Sequence, residues 1–256
     1  MKRDTYLKLK KQKRRAKLLG IITLLSIVGV NIKNKKDKTE EMPTSIIEVK
    51  DIEILDKNGI PYPTKDNNFL KNEHDAFANM SIQLYNSYTN DRKGIEIIPE
   101  YQWLDVKYTN DYFSYVVTEN GKTGYVPNSV ITFLPDNYVV TDLSEQLTKV
   151  IYNNEVVLEF ENVTGKPGHE TNIGYTEIWA KNYNRYLTGP GYSRYVKYAF
   201  FFNDYEEAYH DASWRSEFGG DIYMTNGSLG CINSREEDIE RMDTFVEVGT
   251  KVLVHR

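Results

Sequence analysis

The sequence predicts a mainly β protein with two β-rich units behind an N-terminal apolar segment. Three observations carry that prediction. The 256 residues include 20 Tyr and 10 Phe but only 8 Pro, a composition suited to pleated, half-buried surfaces. Short runs of alternating apolar and polar residues are separated by turn dipeptides. The charge also changes sign along the chain, with 13 Lys+Arg against 3 Asp+Glu in residues 1–40 and 19 against 34 in the remainder.

Residues 1–17, MKRDTYLKLKKQKRRAK, form a basic tail, and residues 18–32, LLGIITLLSIVGVNI, form an apolar run. A basic stretch followed by an apolar run is a membrane-targeting pattern, and the excess of cations before the run places the tail in the cytoplasm and the body outside. The expectation is a single-pass cell-membrane anchor. The run is shorter than the roughly 20 residues of a comfortable spanning helix, so an uncleaved signal core is the second reading. A charged linker at 33–44, ending at Pro43, leads to the body.

Residues 45–135 read as a small β-domain. IIEVKDIEIL alternates with period two, Lys57-Asn58-Gly59 supplies a turn, and Asn120-Gly121 is a hairpin signal between two strands of YFSYVVTENGKTGYVPNSVI. Residues 136–256 repeat the pattern, with Asn153-Asn154 as a hairpin turn and KVLV as a final strand. Ser234-Arg235-Glu236-Glu237 has the form of a capping box opening the helix REEDIERMDTF.

Cys231, the one cysteine, excludes an intrachain disulfide framework. It lies in NGSLGCIN, and glycines at 227 and 230 suit a tight turn where backbone amides approach another group. A helix beginning at about Arg235 would point its positive end at that turn and favour the thiolate. A nucleophilic cysteine needs a base. The residues alone leave His74, His169, His210 and His255 open, although His210 follows the apolar stretch YVKYAFFF, where the end of a strand would hold it.

HDASWRSEFGGDIYMTNGSLGCIN resembles the signature of the L,D-transpeptidases of the YkuD type, in which a His is followed after 14 to 17 residues by Ser/Thr-His-Gly-Cys-hydrophobic-Asn. Seventeen residues separate His210 from Ser228 here. The resemblance extends over 137–256, and GKTGYVPNSVI is similar to the end of bacterial SH3-like domains. It implies a β-rich catalytic domain with a helix after the cysteine turn, acting on peptidoglycan stem peptides in cell-wall building and cell shape. Cys231 would be the nucleophile and His210 the base, oriented by the Asp211 carbonyl. Ser228, Leu229, Gly230 and Asn233 would shape the turn, with the amides of Leu229, Gly230 and Cys231 serving the oxyanion. Trp214 and Arg215 are candidates for the substrate groove, with plain packing as the alternative for Trp214.

Two positions depart from the family pattern: Leu229 stands where the motif has histidine, and Asn172 where the Thr-Pro-x-Gly loop has proline. Leu229 favours a second reading, a membrane-anchored wall-binding protein without chemistry. Water as acceptor would make an L,D-carboxypeptidase, and a cysteine protease shares the chemistry without the signature. Scattered histidines imply no metal and no cofactor. An acidic body is a poor partner for nucleic acid.

Overall fold

The structure is a computed structural model that describes residues 55–63, 68–72, 74–189 and 191–256. The basic tail, the apolar run at 18–32, the linker and nearly all of IIEVKDIEIL lie outside the described residues. Among the described residues no helix is long and apolar enough to cross a membrane.

The first sheet contains β1 (Leu70–Lys71), β2 (Ala76–Ala78), β3 (Ile82–Tyr85), β4 (Gly94–Ile98), β5 (Trp103–Thr109), β6 (Phe113–Thr118), β7 (Thr123–Pro127) and β8 (Ile131–Phe133). Its order is β4-β3-β7-β6-β5-β2-β8, with β1 on β5. Alternation drives the pairing: Leu104 and Val106 on β5 face inward with Leu84, Ile98, Val116 and Val126. Gly121, at φ +77°, closes the β6–β7 hairpin where Asn120-Gly121 predicts it.

The second sheet contains β9 (Tyr138–Asp142), β10 (Leu147–Tyr152), β11 (Glu155–Glu161), β12 (Gly174–Glu177) and β17 (Lys251–His255), in the order β11-β10-β9-β17-β12. Asn153 and Asn154 both have positive φ, near +52° and +56°. That pair of left-handed residues is what a two-residue hairpin between β10 and β11 requires. The C-terminal KVLV enters beside β9 in parallel.

The third sheet contains β13 (Ala180–Gly189), β14 (Tyr192–Phe201), β15 (Ala208–Asp211) and β16 (Ile232–Ser234), in that order. β15 and β16 run parallel, with His210 opposite Asn233. His210 therefore lies within a short strand of its own, beyond the YVKYAFFF strand. Helix α1 (Ile222–Asn226) precedes the cysteine turn and α2 (Glu236–Asp243) follows β16.

The capping-box expectation fails at Ser234. The N-cap of α2 is Arg235, without a side-chain cap, because Ser234 pairs with Asp211 and its hydroxyl is buried without a partner.

Contacts at two junctions tie the sheets together. Phe77 and Leu134 pack with Tyr138, Val140, Ile151 and Leu253, while Trp103 Nε1 donates to the Tyr138 hydroxyl at 3.0 Å, which donates to Asp75 at 2.7 Å. The Thr141 and Tyr209 hydroxyls meet at 2.7 Å, binding the second sheet to the third. Leu253 is fully buried at the first junction. Leu253→Ala should lower unfolding stability by roughly 2–5 kcal/mol, the cost of lost transfer plus a residual cavity. Chemical denaturation would measure it, and a loss below about 1 kcal/mol would mean that the junction collapses around the change.

Candidate active site

Cys231 sits in the bend between α1 and β16, and a separate segment holds that bend. Val163 and Asn233 exchange backbone hydrogen bonds of 2.9 and 3.0 Å, and Ser228 N donates to Thr164 O at 2.9 Å. Gly165 N donates to Thr171 Oγ1 at 3.0 Å, and that hydroxyl donates to Gly230 O at 2.6 Å. Inside the turn, Gly230 N donates to Ser228 Oγ at 3.1 Å, and the same hydroxyl donates to the Cys231 carbonyl. Ser228 thus closes the turn around the cysteine.

Gly227 and Gly230 are required by close approach. A Cβ on Gly227 would lie 2.6 Å from the Lys166 nitrogen, and one on Gly230 would lie 2.7 Å from Glu207 Oε1. Gly230 also has φ +121°, a backbone that other residues rarely adopt. Its amide already serves Ser228, whereas the amides of Leu229 and Cys231 have no internal acceptor among the described residues.

The thiol packs against Val196, Ala199, Phe201 and Ala208. Burial pushes it up to about 11; the Glu207 carboxylate adds to the rise, and a hydrogen bond from the Ala208 amide opposes it. The expected dipole-stabilised thiolate is therefore absent at rest. β16 separates Cys231 from α2, whose first turn carries Glu236, Glu237 and Asp238, three negative charges that offset its positive end.

His210 is buried on β15, and its Nδ1 lies 2.9 Å from the Asp211 carbonyl oxygen. A carbonyl can only accept, so Nδ1 carries the proton and Nε2 holds the free lone pair. Burial lowers the imidazole to about 4, the nearby Arg215 charge acts in the same direction, and the Asp211 carbonyl opposes both. The ring is neutral at physiological pH. The Asp211 carboxylate accepts from the amides of Lys197 and Tyr198 at 2.8 and 2.7 Å, which ties β14 to β15.

Arg215 has its Nε and Nη1 buried without hydrogen-bond partners. A guanidinium with unmet donors can pair with a carboxylate that reaches it. Trp214 is 40% exposed, with its ring centroid 5.9 Å from that of His210 and the Arg194 guanidinium over the indole at 5.6 Å from the ring centroid. Leu229 is 52% exposed beside the cysteine, while Asn233 is buried and its Oδ1 lacks a partner.

Sequence reasoning missed two residues here. Glu207 is a buried carboxylate held by the Asn172 amide at 3.1 Å, Asn172 Nδ2 at 2.9 Å and Asn203 Nδ2 at 2.6 Å. Burial raises its pKa. Asn172 supplies a backbone N–H that proline would lack, so the departure from the family loop was the available signal. Tyr192, at the start of β14, has its phenol raised first by burial and then by Cys231, and nothing in the spacing connects the two.

The elevated thiol yields a pH prediction. Alkylation of Cys231 by iodoacetamide in the free protein should still be rising through pH 10, because thiolate gains about tenfold per pH unit below the pKa. Glu207→Gln removes a negative neighbour and should raise the rate at pH 9 a few-fold. A plateau at or below the ordinary thiol range would contradict this electrostatic picture.

Residues 136–254 match the YkuD family model, the L,D-transpeptidase catalytic domain. Among solved structures, the chain is 34% identical to the catalytic domain of the Enterococcus faecium L,D-transpeptidase acylated by ertapenem, covering 48% of this chain and 98% of that one, with a TM-score of 0.45. A cysteine-to-serine mutant of the Enterococcus faecium L,D-transpeptidase is 22% identical over 70% of this chain and 75% of that chain, TM-score 0.48. An L,D-transpeptidase from Mycobacterium smegmatis is 19% identical over 59% and 70%, TM-score 0.42. No curated protein matches the chain. Over the residues that the family model matches, 136–254, the chain belongs to the L,D-transpeptidase family.

Proposed function

We propose that the protein is a peptidoglycan L,D-transpeptidase that forms 3→3 cross-links through a Cys231 acyl-enzyme. The observation that carries the reading is a neutral imidazole with Nδ1 committed to the Asp211 carbonyl, on the strand next to the one that follows Cys231. A fixed tautomer leaves Nε2 as the base.

In the proposed reaction, Nε2 takes the thiol proton as Sγ attacks the amide carbonyl carbon between the third and fourth residues of a stem tetrapeptide. The amides of Leu229 and Cys231 stabilise the oxyanion, since that of Gly230 serves Ser228. The C–N bond breaks, the terminal D-alanine leaves with the proton from Nε2, and a thioester remains. The side-chain amine of a second stem then attacks the thioester and gives its proton to Nε2. The C–S bond breaks, and the proton returns to Sγ. Arg215 holds a stem carboxylate, and Trp214 lines the same groove.

The proton balance favours a neutral resting pair over a thiolate–imidazolium pair, since the thiol is raised and the imidazole lowered. Nucleophile activation then awaits substrate, whose closure over the thiol excludes water. The exposed Leu229 gives the acceptor side an apolar wall where the family pattern has an imidazole. The same leucine favours the second reading, a wall-binding protein without chemistry.

The cellular setting belongs to the proposal as well. Residues 18–32 anchor the chain with the basic tail inside, and 45–135 serve as an SH3-like spacer or wall-binding domain. The charge asymmetry of the sequence supports the orientation.

The test is incubation of the full-length protein in detergent with a disaccharide tetrapeptide, followed by intact mass and muropeptide analysis. Wild type should acquire an acyl adduct with release of D-alanine and yield cross-linked dimers. Cys231→Ala should show neither, and His210→Gln should lose at least about a hundredfold in acylation rate. Hydrolysis without dimers would indicate a carboxypeptidase. A folded protein that binds the muropeptide without an adduct would establish the binding module.

A further inference from the structure

Far from the cysteine, the fold brings together three ionisable side chains widely separated in sequence. Asp142 ends β9 and His255 ends β17, and parallel pairing places them directly opposite each other. Glu119 comes from the β6–β7 turn of the first sheet. One ligand-type atom from each lies within 4.8 Å of the others.

His255 is the informative member. Its ring is fully buried, and neither nitrogen makes a well-aligned hydrogen bond, although the Arg256 backbone lies close enough to act on it. Nε2 faces Glu119 Oε1 at 3.5 Å. Unpartnered buried polar atoms are costly, so a native fold that keeps them calls for a ligand or another explanation. The two carboxylates are already oriented. Asp142 Oδ1 accepts from Ser144 N at 2.7 Å and Ser144 Oγ at 2.6 Å, and Glu119 Oε2 accepts from Gln102. Glu119 thereby keeps Oε1 for His255.

We propose that Glu119, Asp142 and His255 form a binding site for one divalent transition-metal ion of the zinc type, stapling the first sheet to the second. One imidazole with two carboxylates is a ligand set for such an ion, with water completing a tetrahedron. Metal–ligand bonds of about 2.0–2.2 Å give tetrahedral edges of about 3.3–3.6 Å, and the Nε2–Oε1 separation of 3.5 Å lies in that range. The hydrogen bonds to the far oxygens are the outer-shell contacts that orient ligating carboxylates. The side chain of Glu119 is 23% exposed, which gives an ion access. A cation would also relieve the repulsion between two carboxylates held this close. Lys149 and Glu145 sit nearby with opposite charges. This inference does not depend on the transpeptidase reaction.

The test uses full-length protein carrying Cys231→Ala, which removes the thiol as a competing ligand, after stripping with chelator. Equilibrium dialysis against buffered micromolar Zn2+, with metal content read by mass spectrometry, should give about one equivalent per chain. The thermal midpoint should rise with zinc concentration, as for any ligand bound only by the folded state. Glu119→Gln, at the more accessible ligand, should fold normally and weaken zinc binding by at least about tenfold; His255→Gln should abolish it. Substoichiometric metal with no thermal shift, or equal binding in Glu119→Gln, would overturn the site. A cluster stabilised by acidification alone, without zinc uptake, would identify a protonated His255 between two carboxylates and also overturn it.

Discussion

The site depends on one backbone pairing: the segment from Asn162 to Thr171 laid against the cysteine turn. Val163 and Asn233 pair in both directions, Ser228 is bonded through its N–H to Thr164 and through its carbonyl to Lys166, and Thr171 bonds both Gly165 and Gly230. Buried backbone polar groups must find partners, and the bend carrying Cys231 finds most of its partners here. The requirement for glycine at 227 and 230 follows, because side chains there would collide with Lys166 and Glu207. Fixing this bend also fixes where Leu229 and Cys231 direct their amides.

Electrostatics then sets the resting state. Burial acts on Cys231, His210 and Glu207 in the same sense, penalising the charged form of each. The thiol stays protonated and the imidazole stays neutral. Glu207 keeps its hydrogen bonds from Asn172 and Asn203, so the turn rests on a polar cradle behind the thiol. Burial penalises the charge of Arg215 in the same way, and two of its guanidinium nitrogens are buried without a hydrogen-bond partner.

Much of this was legible locally. Asn153-Asn154 and Gly121 mark turns whose backbone has positive φ at those residues, and the apolar run of KVLV reads as a strand because it is buried on both faces. The long β13–β14 hairpin was not legible, because most of β13 is exposed or half-buried and shows no period-two alternation. The signature residues His210, Ser228, Cys231 and Asn233 could be picked out by spacing within a resemblance. Glu207 could not, since its importance comes from contacts with Asn172 and Gly230 across the fold. The Ser234 capping box misled because parallel pairing with Asp211 took Ser234 into a strand. Nothing in the sequence singled out His255 among the four histidines, since it is β17 entering within a sheet that carries it into a buried cluster.

The most direct test of the central claim is amide hydrogen exchange at Val163, Gly165, Ser228 and Asn233 in the wild-type protein and in Thr171→Val. If the 162–171 segment fixes the cysteine turn, these amides should exchange only through global or near-global opening in the wild type, and Thr171→Val should accelerate all four together while leaving β10 protected. Fast, loop-like exchange in the wild type, or acceleration confined to Gly165, would contradict the account and place the rigidity of the turn elsewhere.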